Sequence, residues 1–387
     1  MRVFIALTYF QPHKSGLTVY AVRLAQALVQ RGHQVTVLTS RYNKDLPRHE
    51  YIDGVEVIRL PVLMRVSKGV IIPGLPFVAW RLIRHSDVVN LHIPQLDASY
   101  LSLIGRLLGK PVVVTYQCDL RLPRGAINWI ANKVSYLADR VSANLAQVIV
   151  STSRDYAENS IFLPRFLKKV QVVSAPITLP PISEADVDAF RNKHHITPEQ
   201  KIIGIAARLA TEKGVEYLVA AMPSILEKFP TARVISYGQY QNVMGEEAYA
   251  QKLMPLIRQL GEHWTFLGII SDAEVAAFFR CCQVTVLPSV NSTEAFGMVQ
   301  VESMVCGTPV VASDLPGIRQ PILDTGMGQI VPPRNPEAIA RAVIAILDKG
   351  EPDRQIAREI SICYAPDSTA KAYETIFTRL LNVHASN

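Results

Sequence analysis

Pro288-Ser-Val-Asn-Ser-Thr-Glu294-Ala-Phe-Gly297-Met-Val-Gln-Val-Glu302 comes directly after the apolar run Val284 to Leu287. The apolar run reads as a buried strand and the polar stretch as a loop. Beyond the loop lies a helix-like run that stops at Cys306-Gly307. Glu294 and Glu302 bracket the helix start with seven residues between them. A mostly helical span would separate them by roughly 12 Å along the axis. That is about the reach of a diphosphate with a sugar at each end. The helix start offers backbone N–H groups and the positive end of a dipole, which suit an anion. Carboxylates accept hydrogen bonds from vicinal hydroxyls. The layout therefore suits a nucleotide-sugar, with one Glu on the transferred sugar, amides on the diphosphate and the other Glu on the ribose.

Phosphates call for cations, and a second stretch supplies them. Ile202 to Ala207 is strand-like and leads through Arg208-Leu-Ala-Thr-Glu-Lys213-Gly214 into an amphipathic helix from Val215 to Leu226. Arg208 and Lys213 thus sit on a strand-to-helix loop, where α/β proteins gather ligand-binding groups. Both neutralise a diphosphate without a metal. Taken singly, an Arg or Lys on a loop is ordinary solvated surface, and a Glu near a helix start is an ordinary dipole partner. The conjunction of all four in matching strand–loop–helix contexts carries the reading.

These stretches resemble the family 4 retaining glycosyltransferases of the GT-B fold. The resemblance rests on Arg208 to Gly214, Phe266-Leu-Gly268, Glu294-Ala-Phe-Gly297, Glu302 and Gly307-Thr-Pro-Val-Val-Ala312. Pro12-His-Lys-Ser-Gly16 and Arg31-Gly-His-Gln-Val-Thr-Val37 add to it less specifically. It implies an α/β architecture of two Rossmann-like domains with parallel sheets facing across a cleft. It also implies transfer of a sugar from a nucleotide diphosphate with retention of the anomeric configuration.

Organisation along the chain agrees with two domains. Apolar runs alternate with helix-like stretches: Val3–Thr8, Val35–Thr39, Val55–Leu60, Asp87–His92, Val112–Tyr116, Gln147–Ser151 and Val170–Ser174. Such alternation argues for a doubly wound parallel sheet. Three prolines at 176, 180 and 181 suit a stiff linker. The pattern then restarts with Ile202–Ala206, Arg233–Tyr237, Trp264–Leu267, Val284–Leu287 and Pro309–Ser313. The expected division is residues 1–178 as an acceptor-side domain and 179–365 as the donor-binding domain. The resemblance implies that the final helix, within 366–387, packs back on the first.

Composition excludes several classes. The 387 residues are 49% hydrophobic and contain no 18-residue apolar run, so no membrane-spanning helix is expected. Val3 to Phe10 lacks a small-residue cleavage site and reads as a first strand, not a signal peptide. Five cysteines with no Cys-x-x-Cys pair indicate a reducing cytoplasm and no zinc cluster. No Gly-x-Gly-x-x-Gly comes after the first strand, so no redox dinucleotide and no other cofactor is expected. Asp186-Val-Asp188 matches an Asp-x-Asp metal signature, but on a polar helix start its acids serve the dipole, and no metal is expected. Residues 1–180 carry 22 Lys and Arg against 10 Asp and Glu, whereas residues 181–387 carry 18 against 23. The basic first half calls for an anionic partner. No nucleic-acid module is recognisable, so a membrane surface or an anionic lipid-linked acceptor fits better, beside the plain reading that a scattered basic surface serves only solubility. The cysteine usage makes a cytoplasmic location the expectation, and a membrane partner would make the protein peripheral on the inner face.

Carried over from the resemblance, Arg208 and Lys213 stabilise the leaving diphosphate together with backbone around Gly297, Met298 and Val299. Glu294 holds the transferred sugar and Glu302 the ribose, with Ala295 and Phe296 also among the donor-binding residues. Gly238, Gly268 and Ile269 lie near the nucleoside, and Gly16 lets the first-domain loop approach the diphosphate. Where the family often has a His after Val112–Tyr116, this chain has Gln117, which hydrogen-bonds but does not titrate. Asp119 is the nearby ionisable alternative, and His92 ends another strand at the expected cleft edge. Two stretches mix apolar and basic residues, Phe77 to Arg84 and Leu120 to Arg140, as membrane-surface helices and ordinary surface helices both do. The acceptor is read as lipid-linked or a polysaccharide. A small soluble sugar or sugar-phosphate acceptor, and a non-catalytic nucleotide-sugar binding module, stay open.

Overall fold

The structure, a computed structural model, describes residues 1–66, 69–120, 126–350, 352 and 354–385. The chain divides into two compact units, Met1–Pro176 with Tyr364–Asn387, and Ile177–Cys363.

The first unit runs β1 (Arg2–Ala6), α1 (Gly16–Gln30), β2 (Gln34–Arg41), β3 (His49–Ile52), β4 (Val55–Pro61), β5 (Met64–Val66), β6 (Gly69–Ile71), α2 (Leu75–His85), β7 (Val88–Ile93), α3 (Ala98–Leu107), β8 (Val112–Tyr116), α4 (Ala126–Leu145), β9 (Val148–Ser151), α5 (Arg154–Asn159) and β10 (Val170–Val172). Its eight-stranded sheet has the order β10-β9-β8-β7-β1-β2-β4-β3. All neighbours are parallel except β3, which pairs antiparallel with β4. The central strands β7 and β8 are buried at every residue, as continuous apolar runs covered on both faces must be. The order grows from β1 toward β2 on one side and toward β7, β8 and β9 on the other. Right-handed crossovers therefore set α1 on one face and α2, α3 and α4 on the opposite face. Helix α2 packs on α3, and α3 on α4.

The second unit runs α6 (Glu184–Lys193), β11 (Lys201–Ala206), α7 (Val215–Lys228), β12 (Ala232–Tyr237), α8 (Glu247–Gln259), β13 (Trp264–Gly268), α9 (Asp272–Cys281), β14 (Val284–Leu287), α10 (Met298–Val305), β15 (Val310–Ser313), α11 (Gln320–Thr325), β16 (Gly328–Val331), α12 (Pro336–Leu347) and α13 (Ala357–Cys363). Its parallel sheet has the order β13-β12-β11-β14-β15-β16. This is the dinucleotide-binding order, in which the strand sequence reverses between β11 and β14. One core packs Leu218, Met222, Ile339 and Val343 of α7 and α12. The other packs Val187, Phe190, Phe278 and Phe279 of α6 and α9.

Two edge strands of these sheets carry no apolar run and are absent from the sequence reading. Strand β3, His49-Glu-Tyr-Ile52, is a polar edge strand held by its pairing with β4. Strand β16 is short, begins with Gly328 and closes the other sheet's edge. Asp186 is the N3 residue of a capping box with Ser183, and Asp188 pairs with Arg191 at 3.3 Å. All five cysteines are free. Burial pushes the Cys281 thiol up to about 11.

The last helix, α14 (Pro366–Ala385), belongs to the first unit and packs on α1. Arg31 joins them, pairing with Glu374 at 2.6 Å and Asp367 at 2.8 Å. Beneath these half-buried pairs lies a buried polar chain. The Tyr373 hydroxyl sits 3.1 Å from that of Tyr20 and 2.8 Å from Thr115 Oγ1, which donates to Asn90 Oδ1 at 2.9 Å. Polar groups shut away from water need partners, so this chain fixes the seating of α14 against α1, β7 and β8. Tyr373→Phe leaves the Tyr20 and Thr115 hydroxyls short of one partner. It should lower the stability of the first unit by about 1–3 kcal/mol, read as an earlier denaturant midpoint. An unchanged midpoint would show that the chain contributes nothing.

Candidate active site

Two loops meet where the second sheet reverses its strand order. One leaves the end of β11 as Ala207–Gly214, and the other leaves β14 as Pro288–Gly297. Brought side by side by the pairing of β11 with β14, they are laced at three points. Val290 N–H donates to the Glu212 carbonyl at 3.1 Å. Lys213 Nζ pairs with Glu294 Oε2. Gly214 passes directly under Pro288: with φ at 63°, it is left-handed, and a Cβ there would stand 2.2 Å from the Pro288 carbonyl oxygen. Only glycine takes both the dihedral and the approach without strain.

The polar groups on these loops are held before any ligand arrives. Glu294 uses Oε2 for Lys213 and Oε1 to accept the Gly297 N–H at 3.1 Å. Gly297 is itself left-handed and is the N-cap of α10, whose first residues are Met298 and Val299. The opening N–H groups of a helix lack intrahelical acceptors and carry its positive end. Arg208 is half-exposed, with Nη2 bonded to Glu212 Oε1 at 3.0 Å. Thr211 donates its N–H and hydroxyl to Glu246 Oε2 at 2.9 and 2.6 Å. Ala295 and Phe296 are buried beneath the loop. A guanidinium, an ammonium, a carboxylate and a helix N-terminus thus gather at the topological switch point, the usual ligand crevice of open α/β sheets.

Glu302 lies on the same helix and is buried. The helical span between the two carboxylates is shorter than the sequence suggests. Only Met298 onward is helical, because the left-handed Gly297 precedes the first turn. Helical rise covers about 6 Å from Met298 to Glu302, and the rest of the path to Glu294 is loop. Toward the sheet's other side, the Gly238 N–H donates to the Gly268 carbonyl at 2.8 Å, joining the ends of β12 and β13. Ile269 beside them is 72% exposed.

Gln300 escapes the sequence reading. It is fully buried, and its Nε2 donates to the carbonyls of Phe296 at 2.6 Å and Ile318 at 2.9 Å. It thereby pins the turn that presents Glu294 and Gly297. A polar residue inside the run Met298-Val-Gln-Val was the available signal.

The first unit treats its candidates differently. Gly16 is exposed at the start of α1, whose N-cap Ser15 accepts from the Thr18 N–H at 3.3 Å. His92 is wholly buried on β7. Burial alone holds its pKa down at about 3, so it is neutral at physiological pH. Gln117 Nε2 lies 3.1 Å from His92 Nδ1, and the Tyr20 ring meets the imidazole edge-on at 5.9 Å. Expected as a donor contact, His92 instead supports Gln117 from below, because no part of it reaches solvent. Asp119, expected as an ionisable alternative to Gln117, is also fully buried. It accepts from Tyr116 at 2.8 Å, Ser160 at 2.6 Å and the Ile161 N–H at 3.2 Å. Its carboxylate is committed to joining the β8 end to the 160–161 turn.

The family model for glycosyl transferases group 1 matches residues 186–361, and that for glycosyltransferase family 4 matches residues 14–179. A glycosyltransferase of Methanocaldococcus jannaschii is 29% identical over 354 residues, covering 86% of this chain and 85% of its own length. The phosphatidyl-myo-inositol mannosyltransferase of Mycobacterium tuberculosis is 24% identical over 366 residues, covering 90% and 88%. Among solved structures, Anabaena HepE in complex with UDP-glucose superposes with a TM-score of 0.74 at 18% identity, over 98% of this chain and 100% of that one.

The lacing of the two loops is open to test. Gly214→Ala introduces a left-handed strain of about 1–2 kcal/mol and a clash with backbone that no side-chain rotation relieves. Calorimetry with nucleoside diphosphates should find binding at least tenfold weaker while circular dichroism stays native. Native affinity in the variant would show that the approach of Gly214 to Pro288 is not needed.

Proposed function

The chain belongs to the family 4 glycosyltransferases of the GT-B fold, and on that basis we propose that it transfers a sugar from a nucleoside diphosphate to a hydroxyl of a lipid-linked or polysaccharide acceptor, with retention and without a metal. The observation that carries this is the meeting of Arg208, Lys213, Glu294 and the α10 N-terminus on two laced loops at the switch point of the second sheet. A departing diphosphate gains negative charge in the transition state, and donors already fixed around it stabilise that charge without reorganising. Arg208, oriented by Glu212, and Lys213 supply the positive charge, and the helix N–H groups complete it. HepE, a fold neighbour, binds UDP-glucose, which supports the donor class. The mannosyltransferase relative carries a phosphatidylinositol acceptor in its name, which supports the acceptor class.

Within this reading Glu294 meets the transferred sugar and Glu302 the ribose. The Lys213–Glu294 pair then stands at the junction of sugar and phosphate, where a carboxylate for hydroxyls and an ammonium for phosphate oxygens are both wanted. Gly238, Gly268 and Ile269 approach the nucleoside through backbone. In the first unit Gln117 offers an amide whose direction is held by His92. Gln117 cannot take up a proton, and the leaving phosphate itself can accept that of the acceptor hydroxyl, so a protein base is not compulsory.

The two carboxylates separate in kinetics. Glu302→Gln should raise the Kd for donor, and Glu294→Gln should mainly lower kcat, each by about 10- to 150-fold, since a charged hydrogen bond is worth about 1.5–3 kcal/mol. Wild-type constants in both variants would overturn the assignment.

Metal independence has its own check. Activity should survive dialysis against EDTA, because Arg208 and Lys213 supply the compensating charge. Loss on chelation with recovery in manganese or magnesium would refute it. Anomeric configuration of the product, read by NMR, tests retention.

A further inference from the structure

Helices α2, α3 and α4 share one face of the first sheet, and each turns apolar side chains outward, where a solvent-facing side is ordinarily polar. On α2, Phe77 is 82% exposed and Trp80 stands exposed beside it, with Arg81 and Arg84. On α3 the outward residues are Leu103 and Leu107, one turn apart, with Arg106 between them. On α4, Ile130, Val134, Leu137 and Val141 are all exposed and recur at spacings of four, three and four, which is one stripe along a helix. Trp129 lies exposed at its start, with Lys133 Nζ 4.5 Å from the ring centre, and Arg140 borders its end.

The sign of charge on this face is uniform. Across Leu75–His85, Ala98–Leu107 and Ala126–Leu145 the sequence has a single acid, Asp139, and it is buried. Burial raises its pKa to about 8, so it adds little negative charge even locally. The exposed cations Arg81, Arg84, Arg106, Lys133 and Arg140 have no opposing carboxylate on these helices. A cover for this face must accept large apolar side chains and offer negative charge without positive charge. An anionic bilayer interface supplies both together: acyl chains take the Trp, Phe and Leu side chains while headgroups meet the cations, whose stems span the boundary.

We propose that the α2–α3–α4 face of the first unit docks on an anionic lipid surface. The docking deepens the lipid-acceptor reading and rests on it only for its purpose, since vesicle binding and donor binding are read separately. Arg121 and Arg124, which the sequence groups with this region, lie outside the described residues and are not needed.

Flotation of the full chain with vesicles tests it. Vesicles of phosphatidylglycerol and phosphatidylcholine should carry the protein at low salt and release it steeply as salt rises, because exposed charges are screened within about 10 Å at 0.1 M. Vesicles of phosphatidylcholine alone should carry little. Lys133→Gln with Arg140→Gln should weaken partitioning about 30-fold, roughly fivefold per cation. Val134→Gln with Leu137→Gln should weaken it at least tenfold. Both double variants should keep the wild-type melting temperature and its rise with UDP, so that lost docking is distinguished from lost folding or a lost donor site. Failure of the wild type to float with anionic vesicles at low salt would overturn the proposal. So would equal binding by all variants. A dimer in solution that Val134→Gln with Leu137→Gln abolishes, without vesicle binding by the wild type, would assign the face to a second copy instead.

Discussion

The passage of Gly214 under the Pro288 carbonyl holds the candidate site together. A side chain at this position would have to push the loops after β11 and β14 apart, stretching the links from Lys213 to Glu294 and from Val290 to the Glu212 carbonyl. A left-handed glycine at the N-terminus of α7 therefore sets the separation of Lys213 from a carboxylate on another loop. A second left-handed glycine, Gly297, turns the chain so that α10 begins beside that carboxylate, and the buried Gln300 amide locks the turn. The charges of the site are thus positioned by backbone geometry, and side-chain contacts refine it.

The first unit solves a different problem. Its sheet buries polar side chains at the centre, Asn90, His92 and Thr115 among them, and buried polar groups need partners. Some of those partners come from the far end of the chain. Tyr373 on α14 bridges Tyr20 and Thr115, while His92 meets Gln117. The last helix is therefore part of the scaffold under Gln117. Pairing of Arg31 with Glu374 and Asp367 adds little by itself where water still reaches both partners but ties α14 to the end of α1.

Charge is divided between the two units along the same line as the proposed labour. The acidic second half sets two of its cations, Arg208 and Lys213, at the switch point, where an ordered loop directs them. The basic first half sets five of its cations, Arg81, Arg84, Arg106, Lys133 and Arg140, among outward apolar side chains on three adjacent helices. Concentrated, oriented charge suits a small anion. Distributed charge mixed with apolar surface suits an extended one.

Much of the fold was legible in the sequence because it is written in local patterns. Apolar runs at strand length alternating with amphipathic stretches define two parallel sheets, and the proline cluster at 176–181 marks the change between them. The residues gathered at the switch point, Arg208, Lys213, Glu294 and Gly297, were legible as well, since each sits on a strand-to-helix loop. Edge strands β3 and β16 were not, because they are held by pairing and not by an apolar pattern of their own. Which polar residues face a ligand was not legible either. His92 and Asp119 end strands or come just after them as a ligand-facing residue would, yet both are sealed inside, and Gln300 hides in an apolar run while pinning the site. Periodicity defines the elements, but depth and direction come from which elements pack against one another. Two doubly wound units, and the charged residues that gather at the switch point of the second, could be read from the order of residues alone. That Lys213 and Glu294 are partners, that His92 supports Gln117, and that the apolar stripe of α4 faces outward emerged only from the packed chain, because each of these is a contact, or the lack of one, between segments far apart in sequence.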